Sequence, residues 1–472
     1  MAQKTECRPG TRNAYSSRLA CRTRKGICMH TKMKPQIILK KAAGLLKKRT
    51  QTQNCTGSAK IRQGTALLCA VAIFFTSVLH VLSPGLVLAA GTGGIKGSNL
   101  PAGYVTESQM ELANAWPDMN ESALYNVMRK AQNRQRVTIA FIGGSITKGT
   151  MSFGSRDRSL RKKLTYVDFC RDWWSKKFPK ADLRLINAGI GATDSYLGVH
   201  RVQQDVLDKK PDLVIVEFAV NDSKTAEHKQ AYENLVRKIL DSETKPAVLL
   251  LFMSKMNGQS CQLQQAQIGM HYNLPMLSYG NVINDMVSKG IYTMDELSGD
   301  GIHPSALGYA VAGEILVRYF DQINEKSMGQ VIRKKPSAKY VTAKKYNNAK
   351  LLSCKDITIR KMGTFEEYSQ NSTFPDSLTS KKGNGDLTFT VNCKNIGLLF
   401  SAQLKGGGKF DVYVDGKKAA TINADNSAGR KSKPEAVACY SSKTKKNHTV
   451  RIVRNKKSSG KQLTIYGILI SD

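Results

Sequence analysis

The sequence predicts a parallel α/β sheet with helices on both faces, followed by a separate all-β domain. Between residues 120 and 325, apolar strand patterns alternate with amphipathic helix patterns. Beyond residue 348, short alternating runs are separated by Gly, Asn, Asp and Lys turns. The predicted fold class is therefore a three-layer α/β/α arrangement with a C-terminal all-β sandwich of jelly-roll type.

The α/β region is predicted to contain four parallel strands and the helices that cover them. The strand patterns, which are almost entirely apolar, lie at 137–142, 183–186, 213–218 and 247–253. Helical spacing of apolar residues predicts helices over 122–133, 166–178, 227–240 and 305–320. Strands of this kind are typical of a sheet buried on both faces, with ligands bound beyond the strands' carboxyl ends. Trp173 and Trp174 lie at helical spacing and are expected in the core.

The C-terminal region has the pattern of antiparallel strands joined by tight turns. Its apolar runs lie at 387–391, 397–402, 410–414, 449–453 and 463–470. Asp415-Gly416, followed by the run at 419–422, predicts a hairpin, because both residues accept the positive φ angles of a two-residue turn.

The N-terminal region has the composition of a targeting segment. Residues 1–63 hold 16 Lys and Arg against one acid, and residues 64–90 hold no charged side chain. The apolar run at 66–82, followed by small residues near Ala89 and Ala90, predicts a secretion signal. If this signal is not cleaved, the run would be a membrane anchor. We therefore expect a secreted or cell-surface protein.

These patterns divide the chain into five predicted segments. They are a basic leader with the signal peptide or anchor at 1–90, a linker at 91–119, the α/β domain at 120–325, a basic linker at 326–347 and the β-sandwich at 348–472. The five Cys after the leader lack the spacing of a metal site. They are expected to be buried thiols, with a disulfide among the three C-terminal ones as the alternative. No cofactor or metal is expected.

Ser145 stands between the first predicted strand and a helix pattern, in the stretch VTIAFIGGSITKGT. Gly143 and Gly144 permit a sharp turn that would expose the hydroxyl, and a helix N-terminus favours developing negative charge. Such a turn serves a nucleophile or binds phosphate. The Walker pattern of phosphate-binding loops is absent from this sequence.

His303 and Asp300 lie three residues apart, just before the last predicted helix of the α/β domain. On a turn, this spacing lets the carboxylate hold one imidazole nitrogen while the other faces a serine hydroxyl. Taken alone, the pair fits equally well a capped turn with a surface histidine. In combination with Ser145, it indicates a base and its orienting acid.

Asn221 ends the third predicted strand, and Gly191 follows the second. A buried amide at a strand end needs hydrogen-bond partners, and it has the donor that an oxyanion requires. The alternative is a simple Asn-Asp turn, in which Asp222 braces the loop. Three further residues are candidates for the pocket border, with a helix surface as the alternative: Tyr196, His200 and Arg201.

Four blocks together resemble those of the SGNH hydrolases, the GDSL-like esterase superfamily, over residues 120–322. The blocks are GGSIT at 143–147, NAGIGAT at 187–193, VND at 220–222 and DGIHP at 300–304. The resemblance implies a three-layer α/β/α fold and hydrolysis of an acyl ester without a metal or cofactor.

The resemblance also implies a role for each matched residue. Ser145 would be the nucleophile, His303 the general base and Asp300 the residue that orients it. The oxyanion donors would be the Ser145 N–H, the Gly191 N–H and the Asn221 side chain. Where Gly191 and Ala192 stand, the family often has two small residues, of which the second donates. Ala192 is therefore the alternative to Gly191.

The stretch SYLGVHR and the attached β-sandwich resemble bacterial carbohydrate esterases that remove acetyl groups from polysaccharides. We therefore expect an acylated carbohydrate as substrate. Two other functions remain open: an O-acetyltransferase that uses the same residues, and a non-catalytic cell-surface polysaccharide-binding protein.

The C-terminal part of the chain is strongly basic. Residues 326–472 carry 29 Lys and Arg against 10 Asp and Glu. This excess favours an anionic cell-wall polymer or acidic polysaccharide as partner, with a merely solubilising surface as the alternative. Nucleic acid fits the charge but not the predicted export, so it is not expected as a partner.

Overall fold

The computed structural model describes residues 103–154, 164–380, 385–458 and 460–472. The predicted leader at 1–90 and its apolar run at 66–82 lie outside these residues. Among the described helices, none combines the length and the apolar character that crossing a bilayer demands.

The α/β domain contains a five-stranded parallel sheet in the order β2-β1-β3-β4-β5. Its strands are β1 (Val137–Gly143), β2 (Leu183–Gly189), β3 (Leu213–Glu217), β4 (Ala247–Phe252) and β5 (Met276–Ser278). The predicted parallel sheet is confirmed. The fifth strand was not predicted, because three residues are too few to show a strand pattern.

Ten helices surround this sheet in the described residues. They are α1 (Glu107–Ala113), α2 (Ser122–Gln132), α3 (Ser145–Lys148), α4 (Tyr166–Lys177), α5 (Ser195–Asp205), α6 (Ala226–Leu240), α7 (Gln262–His271), α8 (Tyr279–Ser288), α9 (Met294–Leu297) and α10 (Ala306–Glu325). Helices α2, α4, α8 and α10 share one core with the sheet, whereas α5, α6 and α7 share the other. This is the predicted three-layer arrangement.

Successive side chains of each strand point to opposite faces of the sheet and pack alternately in the two cores. In β1, Ile139 and Phe141 belong to the first core, and Ala140 and Ile142 belong to the second. The same alternation holds in β3 and β4. Because both faces are buried, the strands are apolar at nearly every position, as the sequence indicated. Trp173 and Trp174 pack in the first core.

The C-terminal domain is a nine-stranded antiparallel sheet system. Its strands are β6 (Lys350–Leu352), β7 (Thr358–Lys361), β8 (Phe365–Tyr368), β9 (Ser377–Ser380), β10 (Leu387–Ala402), β11 (Lys409–Val414), β12 (Lys417–Asn423), β13 (Lys433–Arg454) and β14 (Thr464–Ser471). The all-β prediction is confirmed, while the jelly-roll connectivity stays a prediction. Asp415 and Gly416 have φ angles of 51° and 80° in the predicted hairpin between β11 and β12.

All five described cysteines are buried with free thiols. They are Cys170, Cys261, Cys354, Cys393 and Cys439. Burial raises the pKa of each thiol, to about 12 for Cys354 and Cys439. These side chains therefore act as small apolar groups.

The predicted linker at 91–119 differs from the structure in its described part. Helix α1 begins after a Thr106 cap and buries Met110 and Ala113 in the first core. Glu314 of α10 accepts a hydrogen bond of 2.8 Å from the Tyr104 amide. Residues 103–119 thus belong to the α/β domain. So short a helix buries too few apolar side chains to be distinguished from a linker by pattern.

The basic segment at 326–347 is largely irregular, but it is tied to the α/β domain. Glu233 of α6 accepts hydrogen bonds from the amides of Val341 and Thr342, at 2.5 and 2.6 Å, and from the Thr342 hydroxyl. The Tyr272 hydroxyl donates to the same carboxylate at 2.6 Å. One buried carboxylate therefore fastens the connection between the two domains.

An apolar cluster joins the two domains directly. Leu197 of α5 packs with Phe374, Leu399 and Leu469 of the β domain. A Cβ at Gly397 would come within 2.3 Å of the Tyr196 hydroxyl oxygen, so β10 approaches α5 closely. The β domain is thereby seated beside the first turns of α5, which follow the carboxyl end of β2.

We predict that Glu233→Ala lowers the free energy of unfolding by about 2–4 kcal/mol, because it leaves buried amides without an acceptor. Burial favours the protonated form, but the hydrogen bonds outweigh it and keep the pKa of Glu233 below its usual value. The stabilisation is therefore present above about pH 4.3, the pKa of an unfolded Glu, and is lost as the pH falls below it.

Urea unfolding of the variant at pH 7 and pH 3 measures this contribution. The matched control is Glu227→Ala in the exposed first turn of the same helix, for which we expect a change within about 0.5 kcal/mol. A loss for Glu233→Ala that is as large at pH 3 as at pH 7 would contradict the assignment.

Candidate active site

Ser145 is the first residue of α3, immediately beyond the carboxyl end of strand β1. A Cβ at Gly143 would lie 2.0 Å from the Thr147 hydroxyl oxygen, so only glycine permits so tight a turn there. Ser145 as a whole residue is 8% exposed, and it is therefore shielded but reachable.

Ser145, His303 and Asp300 form a continuous hydrogen-bonded line. His303 Nε2 lies 2.9 Å from Ser145 Oγ, and His303 Nδ1 lies 2.7 Å from Asp300 Oδ2. These distances let Asp300 fix the imidazole with Nε2 directed at the hydroxyl. The structure thus brings together three side chains that are separated by up to 158 positions in the chain.

The loop before α10 holds the acid and the base in register. Asp300 Oδ1 accepts hydrogen bonds from the backbone N–H groups of Ile302 and His303, at 2.9 and 2.7 Å. Gly301, which lies between Asp300 and Ile302, has a φ of 75°, a backbone conformation that favours glycine. Partial burial would raise the pKa of Asp300, but the His303 side chain and the two amides lower it below its usual value. Asp300 therefore stays ionised opposite the imidazole.

Asn221 follows β3 and packs against the turn that carries Ser145. A Cβ at Gly144 would lie 2.2 Å from Asn221 Oδ1, so this contact also requires glycine. Asn221 Oδ1 is buried and accepts no hydrogen bond from the described residues. The amide is thus held beside Ser145 by packing, and Asn221 also lines an open cavity.

The loop after β2 lies on the other side of Ser145. The position of a Cβ on Gly191 is 3.8 Å from Ser145 Cβ, which is ordinary van der Waals contact. Ala192 has a φ of 61° and lines the cavity beside Asn221. Both residues therefore adjoin the site. The assignment of the oxyanion donor to Gly191, with Ala192 as alternative, stays a prediction.

Arg201 of α5 fastens the ends of two strands to each other. Its side chain is fully buried and donates to the carbonyl oxygens of Ala188 and Gly143, at 2.7 and 3.1 Å. The Asp205 carboxylate balances its charge at 2.8 Å. Of the three candidates for the pocket border, Arg201 thus acts from beneath the site, and His200 is buried against Tyr346.

Asp222 braces the loop that carries Asn221. Its carboxylate accepts from the Ser195 amide and from Gln265 Nε2, both at 2.8 Å. Burial raises the pKa of Asp222 to about 7, although the bond from the Ser195 amide opposes this shift. The residue therefore ties α5 and α7 to the end of β3.

Glu217, the last residue of β3, is fully buried beneath the Ser145 turn. Its carboxylate accepts from the Thr147 hydroxyl at 3.1 Å and from the Gly144 amide. Burial raises the pKa of Glu217 to about 8, so the side chain is largely neutral at pH 7. The Tyr166 hydroxyl donates to Thr147 at 2.8 Å and completes the network.

A cavity of about 360 Å³ opens beside Asn221. One wall belongs to the α/β domain, and the other to the start of β13 in the β domain. The lining residues are Ala192, Thr193, Asp194, Leu197 and Asn221 on the first wall, and Lys433, Pro434, Glu435 and Ala436 on the second. The two domains together therefore shape the approach to this site.

Sequence reasoning identified the residues nearest the Ser145 hydroxyl but missed those that support them. Glu217 is a lone acid within the apolar run LVIVEFAV, and that pattern is the signal that would have found it. No comparable pattern marks residues 433–436, because they reach the cavity only through the packing of the two domains.

A serine at a strand-to-helix turn, with an imidazole and a carboxylate in line, is the arrangement of a serine hydrolase. Residues 141–311 match the model of the GDSL-like lipase/acylhydrolase family. The α/β domain therefore resembles that family, and the protein is a carboxylic ester hydrolase. A search of curated protein sequences returned no match.

Solved structures extend the likeness to both domains. Two crystal structures of a two-domain esterase, CEX, active on acetylated mannans, have TM-scores of 0.69 and 0.68 at 29% sequence identity. Each alignment covers 77% of this chain and 98% of that chain, and one of the crystals contained mannopentaose. A catalytic mutant of Axe2, an acetylxylan esterase from Geobacillus stearothermophilus, matches with a TM-score of 0.32 at 18% identity, over 39% of this chain and 94% of that one.

We predict that Glu217→Gln retains activity within about threefold at pH 7, because glutamine resembles the neutral acid that burial favours. Glu217→Ala leaves the Gly144 amide and the Thr147 hydroxyl without their acceptor and opens a void. It should lower the free energy of unfolding by about 2–4 kcal/mol and reduce kcat.

The pH dependence of stability provides a second readout. Because the folded pKa lies above the unfolded value, wild-type stability falls as the pH rises from about 4.3 towards about 8. Glu217→Gln should remove this contribution to the slope. Turnover of 4-nitrophenyl acetate and thermal unfolding between pH 5 and pH 9 measure both effects. If Glu217→Gln lowered activity and stability as much as Glu217→Ala, the ionised carboxylate would be required, and the assignment would be wrong.

Proposed function

We propose that this protein is a serine esterase that removes acetyl groups from a carbohydrate polymer outside the cytoplasm. The observation that carries the proposal is the line Asp300–His303–Ser145, with hydrogen bonds of 2.7 and 2.9 Å, beside a cavity that Asn221 lines. This geometry supports attack by Ser145 on an ester bound in the cavity.

The first half of the reaction forms an acyl-enzyme. Ser145 Oγ attacks the acetyl carbonyl carbon while His303 Nε2 accepts the hydroxyl proton. Asp300 remains ionised and stabilises the imidazolium that results. The tetrahedral intermediate then collapses, the bond to the sugar oxygen breaks, and His303 returns its proton to the departing hydroxyl. In the second half, water attacks the acyl-enzyme by the same route and releases acetate.

The negative charge on the tetrahedral oxygen needs donors that are fixed before the reaction. We assign this role to the backbone N–H groups of Ser145 and Gly191 and to the side-chain amide of Asn221. Gly191 and Asn221 follow β2 and β3, the two strands that flank β1, and both approach the Ser145 turn within contact distance. Donors fixed in this way stabilise the transition state without reorganising as the charge develops.

The carbohydrate substrate is supported by the shape of the approach and by the similar structures. The cavity is open and walled by both domains, which suits a substrate that extends beyond the ester. The CEX esterase, whose likeness spans both domains, acts on acetylated mannans. An extracytoplasmic location is supported by the apolar run at 66–82 and the small residues after it.

We predict that wild-type protein releases acetate from 4-nitrophenyl acetate and from acetylated mannan. Ser145→Ala should lower kcat by about 10³-fold or more, because no other group takes the nucleophile's place. Ser288→Ala, an exposed serine at the end of α8, is the matched control and should turn over like wild type. Wild-type protein that is folded but hydrolyses neither ester would refute the proposal, and acetyl transfer to an added sugar would indicate a transferase instead.

We predict that Asn221→Ala lowers kcat by about 10²-fold, since it removes one oxyanion donor, and changes KM little. Steady-state acetate release separates the two parameters, and circular dichroism verifies the fold. Asn221→Asp is a sharper test. It replaces the donating amide with a carboxylate, which accepts hydrogen bonds and repels an oxyanion, so kcat should fall at least as much as in Asn221→Ala. A rise in KM with unchanged kcat would assign Asn221 to substrate binding instead.

A further inference from the structure

One end of the β domain carries a concentrated group of exposed cations. Three segments meet there, at 403–409, 424–432, and 455–458 with 460–462. Their basic side chains, all exposed, are Lys405, Lys409, Arg430, Lys431, Lys456, Lys457 and Lys461. Asp425 is the one acid in the described part of these segments. We call these seven residues the basic loop end.

The three segments form one structural unit and not separate tails. The Leu404 amide donates to Ser432 Oγ at 3.0 Å, which links the first segment to the second. The Lys409 amide donates to Ser458 Oγ at 2.8 Å, which links the first to the third. A Cβ at Gly408 would lie 2.4 Å from the Lys461 Cβ, so these backbones are in close contact. The cations are therefore presented from a fixed framework.

The positive charge of this end is not balanced locally. Ion pairs neutralise many lysines elsewhere in the domain, for example Lys361 with Asp386 and Lys418 with Asp411. Among the described residues, none is an ion-pair partner of any cation of the basic loop end. Asp425 accepts a hydrogen bond from the Ser427 amide at 2.9 Å within its own loop. Such an unbalanced cluster attracts anions along a surface.

The basic loop end continues into the cavity beside the active site. Lys433, the next residue after the second segment, begins β13 and lines the cavity together with Asn221. Glu435 partly balances Lys433 at 3.4 Å, and Arg430 and Lys431 precede Lys433 by three and two residues in the chain. A chain that leaves the cavity past the start of β13 therefore meets the second segment with its cations.

We propose that the basic loop end binds the acidic groups of the polysaccharide whose acetyl ester lies at Ser145. This inference rests on the proposed function and deepens it: the preferred substrate is an acetylated polysaccharide that carries carboxylates, over a neutral one such as acetylated mannan. Seven cations over three loops match repeated charges along a polymer, whereas a single small anion would engage only one or two of them.

The position of the patch favours a carbohydrate chain over other polyanions. A nucleic acid or an anionic membrane would use the charge but has no reason to lie at the mouth of an ester-hydrolysing cavity. An acetylated acidic polymer uses both features at once. Binding to the loops would also raise the local concentration of its esters at the cavity.

Affinity measurements on matched charge variants test the proposal. The loop variant Lys405→Gln/Lys431→Gln/Lys457→Gln removes one cation from each segment. The control variant Arg360→Gln/Lys417→Gln/Lys443→Gln removes three equally exposed cations elsewhere in the same domain. Both variants carry the same net charge, and thermal unfolding verifies the fold of each. The full chain with Ser145→Ala as background keeps the polymers intact during measurement.

We expect the loop variant to bind acetylated polygalacturonate about tenfold more weakly, since each exposed ion pair contributes a factor of about two. Its affinity for acetylated mannan should not change, and the control variant should match the parent on both polymers. The parent's affinity for polygalacturonate should fall between 50 and 300 mM salt.

Three results would overturn the proposal: equal losses in both variants, parent protein that does not bind polygalacturonate, or binding to phosphatidylglycerol vesicles or DNA in preference to it. Turnover of 4-nitrophenyl acetate by wild-type protein reports separately on the proposed function. The esterase activity and the acidic substrate can therefore fail independently.

Discussion

The site depends on how closely three strand ends approach one another at a single turn. Gly143 ends β1, and its carbonyl oxygen accepts hydrogen bonds from Arg201 and from the Ile190 amide after β2. On the other side, Asn221 after β3 packs directly on Gly144. A side chain at either glycine would push these ends apart. The contacts of the β2 and β3 ends with the Ser145 turn therefore depend on backbone that only glycine allows.

Beneath this turn, the protein stabilises buried polar groups by pairing them with backbone. Glu217 holds the Gly144 amide, Arg201 holds two carbonyl oxygens, and Asp222 holds the Ser195 amide. Each bond reaches from one loop or strand end to another, so the loops become a single framework. Catalytic groups need such fixed support, because displacement by about 1 Å costs much of the rate. Burial raises the pKa values of Asp222 and Glu217 to about 7 and 8, so neither carboxyl group is fully ionised at pH 7.

The β domain contributes two kinds of surface, one apolar and one polar and charged. Its contact with α5 is apolar, whereas the cavity wall at residues 433–436 and the loops beyond it are polar and basic. An apolar contact fixes the position of the domain, and a solvated charged surface remains free to meet a ligand. Such a division suits the proposed function, because ester hydrolysis requires exact placement of a few atoms, whereas recognition of an acidic polymer requires charge spread over a distance.

The sequence by itself determined the fold class and the residues of the hydrogen-bonded line. Buried parallel strands are apolar throughout, and Gly143–Ser145 and Asp300–His303 are local motifs in which neighbouring residues suffice to indicate the chemistry. Only the tertiary structure decided that helix α1 belongs to the α/β domain, that Glu217 lies beneath Ser145, and that β13 walls the cavity. These are contacts between residues far apart in the chain. They arise from packing of whole elements, which leaves no periodic pattern in either partner.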